Sequence, residues 1–208
     1  MILAVTDHDD ATSSNAAVCA ILHDPAEPQV LGGALIGQSL LALLAANVGQ
    51  PALFVGHGQA DACIGNDRQS VLSSHDAHVL SGRIFFAIAC HTASELGQVV
   101  AGSGGVWCGF VGEINCLPSD PDVIQEFQRV LIYVRDHIAS LTSVPQAQAF
   151  VADYEAILGS IETFLDLGAF GMEPYLAVNL LRERLRVWIT GTPNPLKCSK
   201  ASDAVTRF

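Results

Sequence analysis

The chain of 208 residues is half hydrophobic, and only 15% of its residues are charged. This composition excludes a disordered chain and supplies enough apolar side chains for a complete hydrophobic core. The formal net charge of −11 at pH 7 disfavours binding to nucleic acid, whose phosphates require an excess of Lys and Arg, and makes basic peptides the more compatible partners.

The chain begins with a short predicted strand, Ile2 to Val5, followed by a polar loop and a helix. The loop, residues 6–10, holds three carboxylates. A cation would suit these oxygens, but a polar loop at a strand end is the simpler interpretation. The helix is expected over residues 11–23, and its N-terminal cap is predicted among Ser13, Ser14 and Asn15.

An apolar run from Val30 to Gly49 contains no charged residue and is long enough to span a bilayer. Glycines and amide side chains dilute it, no Lys or Arg flanks it closely, and a strand follows at once. We therefore predict a buried helix over residues 33–47 and no membrane partner.

Two later apolar runs end on side chains that can do chemistry. Residues 52–56 are followed by His57-Gly58, and residues 84–89 are followed by Cys90. Apolar, β-prone runs bounded by glycine and polar residues are typical of buried parallel strands. Ligands of such sheets bind beyond the carboxyl ends of the strands. We therefore expect His57 and Cys90 at one edge of the sheet.

The segment between these two motifs and the segment after Cys90 are also informative. Residues 58–82 form a long polar excursion, which is expected to carry a small hairpin or a short helix and to be functional.

Thr92 and Glu95 have the spacing of a capping box, which predicts a helix starting two residues after Cys90. The positive end of that helix would lower the pKa of the thiol.

A further buried strand is predicted over residues 106–111, and helices follow it. Ser119-Asp120-Pro121-Asp122 is a helix-start signal, Pro145 precedes a second helix over 146–167, and Pro174 opens a third. Alternation of strands and helices over 1–113 predicts an α/β fold with a mostly parallel sheet and helices on both faces. We expect one domain, 1–208, divided into an α/β catalytic core (1–115), a helical extension (120–183), a late strand (184–190) and a frayed tail (191–208).

The six cysteines are irregularly spaced, without a CxxC pair, and no signal peptide is apparent at the N-terminus. These features predict a reducing, cytoplasmic environment. A metal site built from His75, His78, Cys63 or His91 is less favoured, because zinc ligands usually come in recognisable pairs. We expect no metal and no cofactor. His8 is interpreted as a surface or capping residue.

Chemistry at an acyl carbon requires a nucleophile, a base and donors for the developing oxyanion. In our hypothesis Cys90 attacks and His57 serves as general acid and base. The backbone N–H groups of Gly58 and Cys90 would hold the negative charge, since a glycine lets a substrate carbonyl approach closely.

Gly56-His57-Gly58 after one apolar strand, and Ala89-Cys90 after the next, resemble the motifs of the caspase-like cysteine peptidases. This group includes caspases, gingipains, clostripain, separase and the CHAT domains. Residues 89–97 are most similar to the CHAT subgroup, in which the cysteine is followed by a polar residue, a threonine and a later Leu-Gly. The resemblance covers about residues 1–115. It implies a three-layer α/β fold and peptide-bond hydrolysis by His57 and Cys90 without a metal.

The resemblance also implies that specificity is set by the loop after the first strand and by the loop after the strand that follows the cysteine. Asp7 and Glu113 occupy these loops, which predicts cleavage after a basic residue; ordinary solvated loop carboxylates are the alternative. His91 beside the nucleophile departs from the family pattern. A catalytically inactive scaffold, or a peptidase that needs an activating protein partner, therefore stays open as an alternative.

Overall fold

The computed structural model of the protein describes residues 1–114 and 120–201. The strands of these residues are β1 (Ile2–Val5), β2 (Gln29–Leu31), β3 (Ala52–Val55), β4 (His57–Gln59), β5 (Ala62–Ile64), β6 (Ser70–Ser73), β7 (Ile84–Ile88), β8 (Val106–Phe110) and β9 (Leu185–Ile189). The helices are α1 (Asp10–Cys19), α2 (Ser39–Ala46), α3 (Leu96–Gly102), α4 (Pro121–His137), α5 (Val144–Leu167) and α6 (Met172–Arg184).

Six strands form a central mixed sheet in the order β2-β1-β3-β7-β8-β9. Every neighbouring pair from β2 to β8 is parallel, and only β9 runs antiparallel, against β8. The predicted α/β class and the mostly parallel sheet are therefore confirmed. The parallel strands are apolar at nearly every position because both faces of the sheet are covered.

Alternate side chains of each strand enter two separate hydrophobic clusters, one on each face of the sheet. In β3, for example, Leu53 and Val55 belong to one cluster, and Ala52 and Phe54 belong to the other. The first cluster includes side chains of α1, α4, α5 and α6, and the second includes side chains of α2 and α3. The helical half of the chain is thus one of the layers that cover the sheet, as the apolar stripe of α4 indicates.

The sequence misplaced several element boundaries. The strand β2 was not predicted, and the helix expected over 33–47 is confined to α2. Gly32 and Gly37 have φ values of +52° and +50°, which break a helix before Ser39. Within the described residues, no helix combines the length and the apolar character that a bilayer span requires.

The start of α1 was also predicted wrongly. Its N-terminal cap is Asp9, which accepts a hydrogen bond from the backbone N–H of Thr12, rather than one of the serines or Asn15. The predicted start of α4 is confirmed, since Asp120 caps it and Pro121 occupies its first turn. Ser119, part of the same signal, lies outside the described residues.

The segment after β9 was predicted to be frayed, and this was wrong for residues 191–201. Leu196 pairs with Val187 through two backbone hydrogen bonds, and Cys198 is completely buried. The carboxylate of Glu155 on α5 also accepts hydrogen bonds from the backbone N–H and the hydroxyl of Ser199. The first part of the tail is therefore fastened to the helical layer. Residues 202–208 lie outside the described residues.

The polar excursion after His57 has its own small structure. Strands β4, β5 and β6 form a three-stranded antiparallel sheet, and a 3₁₀ helix over Ser74–Leu80 follows. This agrees with the predicted hairpin and short helix. The excursion is tied back to the main chain beyond Cys90, because the carbonyl oxygen of Ala60 accepts the backbone N–H groups of Glu95 and Leu96.

Candidate functional site

The His57 and Cys90 motifs follow neighbouring strands at the same edge of the central sheet. Val55 of β3 is paired with Ile88 of β7, and the backbone N–H of Gly56 donates to the carbonyl oxygen of Ile88 at 3.1 Å. His57 and Cys90 each lie two residues beyond this registered pair. His57 is the first residue of β4, so it continues into the small sheet rather than ending in a loop.

Gly58 packs directly against the turn that contains Cys90. A Cβ atom on Gly58 would lie 2.4 Å from the carbonyl oxygen of Cys90 and 2.6 Å from Cγ2 of Thr92. A Cβ at such distances would force the neighbouring backbone to move, so a glycine allows the two segments to meet this closely. The sequence predicted that this glycine leaves room for a substrate carbonyl, whereas the space that a Cβ would occupy is filled by the protein itself.

Asp9 contacts the ring of His57, an interaction that sequence reasoning missed. Nε2 of His57 lies 2.7 Å from Oδ2 of Asp9. The side chains of His57 and Asp9 retain 40% and 34% of their solvent exposure, so a substrate or solvent can reach them. A hydrogen bond from the backbone N–H of Thr12, together with the contact to His57, holds the pKa of Asp9 far below its usual range, against the opposing effect of partial burial.

The carboxylate of Asp9 is held in place by the first turn of α1. Its Oδ1 accepts the backbone N–H and the hydroxyl of Thr12, each at 3.0 Å, while its Oδ2 is turned towards His57. The Thr12 hydroxyl also accepts the backbone N–H of Asp9, completing a capping box. The Asp-x-x-Thr spacing was the sequence signal for this arrangement.

His8 was interpreted as a surface or capping residue, and this was wrong. Its side chain keeps only 10% of its exposure, and its Nε2 lies 3.4 Å from Oδ2 of Asp9. Its ring meets the ring of His57 edge to face, with centroids 5.2 Å apart. Its other nitrogen, Nδ1, is buried and has no hydrogen-bond partner among the described residues. His8 and His57 therefore converge on a single carboxylate oxygen.

Cys90 differs from the other described cysteines in its access to solvent. Cys90 is partly exposed, whereas Cys19, Cys63, Cys108 and Cys198 are buried. Burial raises the pKa of the Cys19 and Cys198 thiols to about 12 and raises the pKa of the other two as well. A buried, protonated thiol is a poor nucleophile. Cys116 lies outside the described residues.

The sulfur of Cys90 is held by the segment that follows β8. The backbone N–H of Ile114 donates to Sγ at 3.3 Å, and the thiol lies 3.6 Å from the carbonyl oxygen of the same residue. An amide N–H aimed at the sulfur favours a thiolate, and a carbonyl oxygen favours the protonated thiol. The same backbone therefore offers a partner to each protonation state.

The predicted capping box after Cys90 does not form. The hydroxyl of Thr92 donates to the carbonyl oxygen of Ala89. The helix α3 begins only at Leu96, and its N-cap residue, Glu95, makes no side-chain hydrogen bond to it. Between Cys90 and α3 the chain makes turns, and His91 has a φ of +62°. Non-glycine residues rarely adopt this left-handed conformation, so the backbone directly after Cys90 is strained.

The two carboxylates predicted to recognise a basic residue flank His57 and Cys90. Asp7 follows β1 and Glu113 follows β8, the neighbours of β3 and β7 in the sheet. Both are exposed. Oδ1 of Asp7 accepts a hydrogen bond from the hydroxyl of Ser13. In the order of the strands, the carboxyl edge of the sheet therefore carries Asp7, His57, Cys90 and Glu113.

The arrangement described above has no counterpart that would assign it by similarity. No protein-family model, curated protein or solved structure matches the chain.

Proposed function

We propose that the protein is a cysteine endopeptidase in which Cys90 attacks the peptide carbonyl and His57 transfers the protons. The observation that supports this most strongly is the registered pairing of β3 with β7, which brings both motifs to one edge and presses Gly58 against the Cys90 turn. The proposed mechanism needs neither a metal nor another cofactor.

Asp9 explains how His57 would act as a base. An ionised carboxylate only accepts hydrogen bonds, so the short contact with Oδ2 of Asp9 requires Nε2 of His57 to carry its proton. Nδ1 then holds the lone pair that can take the proton of a thiol. The carboxylate also stabilises the imidazolium that forms, as the acidic member of a catalytic triad does. Asp9 is thus a positioning residue for His57.

The hairpin of the small sheet supports the role assigned to the backbone of Gly58. A two-residue turn joins Gln59 of β4 to Ala62 of β5, and Gly58 faces Cys63 as the next pair. In hairpins of this kind the pair beside the turn is hydrogen-bonded and the next pair is not. The N–H of Gly58 then points away from β5, at the outer edge of the small sheet. An outward N–H beside Cys90 is a suitable donor for an oxyanion.

We further propose cleavage after Lys or Arg. Two exposed carboxylates, Asp7 and Glu113, flank the reacting pair, and the formal net charge of −11 attracts basic substrates over a longer range. The hydroxyl of Ser13 occupies one oxygen of Asp7, which leaves Glu113 as the better placed carboxylate to receive a basic side chain. A peptidase that needs an activating protein partner is the alternative, and it predicts that the isolated chain cleaves none of these peptides although Cys90 still reacts with a peptide warhead.

The test combines labelling and turnover. The purified chain is incubated with fluorogenic peptides that present Lys, Arg, Asp or Glu before the scissile bond, and with a thiol-reactive peptide warhead whose attachment site is found by mass spectrometry. We expect cleavage of the basic peptides, labelling of Cys90 ahead of the buried cysteines, and loss of both in Cys90→Ala.

A matched pair of variants separates the role of Asp9 in catalysis from its role as a helix cap. Asparagine is as good an N-cap as aspartate, so Asp9→Asn keeps α1 but offers His57 an N–H in place of an acceptor. We expect kcat to fall by about 10²- to 10⁴-fold. Asp120→Asn makes the same change at the cap of α4, and we expect it to keep full activity.

The inactive-scaffold alternative predicts a different outcome. In that case none of the peptides is cleaved, and the warhead labels Cys90 no faster than a simple alkylating reagent of equal size does. Both results together would overturn the peptidase proposal.

A further inference from the structure

We propose that His8, Asp9 and His57 form a binding site for a divalent transition-metal ion, Zn²⁺ in particular, and that the bound ion switches off the peptidase. The inhibition rests on the proposed function, whereas the metal site itself does not. Two imidazole nitrogens and one carboxylate oxygen are the donor set of three-ligand zinc sites, whose fourth position is taken by water. Imidazole donors disfavour Mg²⁺ and Ca²⁺.

The distances from the Asp9 carboxylate to the two imidazoles are close to those that a zinc ion imposes. With bonds of about 2.0–2.2 Å, a tetrahedral ion separates its ligand atoms by about 3.3–3.5 Å. Oδ2 of Asp9 already lies 3.4 Å from Nε2 of His8 and 2.7 Å from Nε2 of His57. One ligand atom of each residue lies within 4.8 Å of those of the other two. With respect to Asp9, the half-buried ring of His57 therefore needs to withdraw by only about 0.6–0.8 Å to reach the separation that the ion imposes.

Two of the three ligands are fixed before any ion arrives. The capping box with Thr12 holds Oδ1 of Asp9 and leaves Oδ2 for other partners. The backbone N–H of His8 donates to the same Thr12 hydroxyl at 2.9 Å. Ligands that are already ordered lose little conformational entropy on binding, which favours affinity.

The burial of the His8 ring is difficult to explain without a bound cation. Its ring is nine-tenths buried, and its Nδ1 has no partner among the described residues, so Asp9 is its principal polar contact. Buried polar groups are normally hydrogen-bonded, and one that is not calls for a reason. An imidazole aimed at an anionic oxygen that also faces a second imidazole is suited to coordinate a cation.

Binding would inhibit catalysis through the proton on His57. The ion takes the lone pair of Nε2, so the single proton of the neutral ring must reside on Nδ1. The nitrogen proposed to deprotonate Cys90 then has no lone pair, and no net proton is released. Zinc binding and deprotonation of the thiol by this histidine are therefore mutually exclusive.

The first experiment measures zinc binding without turnover. Isothermal titration of Cys90→Ala with Zn²⁺ should show one site, and Mg²⁺ and Ca²⁺ should not compete for it. Removal of an outer hydrogen-bond partner alone lowers metal affinity by about 10- to 100-fold, so His8→Ala in the same background should lose at least as much. The matched control is His78→Ala, because His78 is an exposed histidine outside this cluster.

The second experiment concerns inhibition. If the chain cleaves peptides, Zn²⁺ should inhibit it reversibly, and His8→Ala should need at least about ten times more Zn²⁺ for the same fractional inhibition. Equal zinc affinity of the His8→Ala and His78→Ala variants would overturn the metal site whether or not the protein is a peptidase. Intact zinc binding with no effect on cleavage would overturn the inhibition alone.

Discussion

Gly58→Ala tests whether the two motifs really meet through their backbones. The added Cβ would lie 2.4 Å from the carbonyl oxygen of Cys90, 2.6 Å from Cγ2 of Thr92 and 2.9 Å from Cβ of Ala89. Ordinary contacts begin near 3.4 Å, so the turn and β4 must separate by about 1 Å. Overpacking of this kind costs about 1–3 kcal/mol, and the stiffer unfolded chain returns about 0.5–1 kcal/mol. We expect a net loss of about 1–2 kcal/mol in the free energy of unfolding.

Urea unfolding measures this loss, and Gly159→Ala in α5 provides the control. Nothing lies within 4 Å of a Cβ at Gly159, so a helical alanine there should stabilise the protein by about 0.5–1 kcal/mol. A shift of about 1 Å at Cys90 should also lower kcat by about 10²-fold in Gly58→Ala. If Gly58→Ala were as stable and as active as Gly159→Ala, the packing of Gly58 against Cys90 would be refuted.

Three further predictions concern the surroundings of the site and the helical layer. His91→Val should be less stable than His91→Gly by about 1–2 kcal/mol in urea unfolding, because a β-branched residue is strained at the φ of +62°; equal stabilities would contradict the left-handed turn after Cys90. Arg83 is 3% exposed and donates to three carbonyl oxygens in the last turn of α2 and the loop that follows it. Arg83→Met should therefore cost about 3 kcal/mol in the same assay, and a loss below about 0.5 kcal/mol would show that these bonds contribute little. Although partial burial opposes ionisation, hydrogen bonds from Ser199 hold the pKa of Glu155 below its usual range. The ionised Glu155 should therefore contribute fully to stability above the unfolded pKa of about 4.3, and this contribution should be lost as the pH falls below that value. Glu155→Gln should abolish this part of the loss of stability in acid, which is measured as the midpoint of urea unfolding against pH.

The sequence predicted the central sheet well because its strands are continuous apolar runs with clear ends. The bounds of β1, β3, β7 and β8 differ from the expected ones by at most one residue. The strand β2 was not predicted because it has only three residues, none of them fully buried, and its pattern of apolar residues is too weak to indicate a strand. Its place beside β1 is fixed by tertiary pairing alone.

The residues of the site were predictable only where they directly follow a predicted strand. His57 and Cys90 stand directly after strong apolar runs, and a parallel sheet brings such positions to one edge. Asp9 and His8 lie in a polar loop in which several carboxylates look equivalent. Asp9 is the carboxylate that contacts His57 because Thr12 forms its capping box with Asp9 and because the pairing of β1 with β3 places this loop beside His57.

The position of Asp9 links the helical half of the chain to the proposed chemistry. Asp9 is fixed by the first turn of α1, and α1 packs on α4, whose apolar stripe lies in the same cluster as Leu53 and Val55 of β3. His57 follows that strand. The carboxylate and the imidazole are therefore held from two sides of one hydrophobic core, and their separation of 2.7 Å depends on the packing between them. Asp9 is attached to the core only through the short helix α1, whereas His57 is attached to it through a central strand. Variants that loosen the α1–α4 contact should therefore displace Asp9 from His57, and lower the proposed activity, before they unfold the sheet.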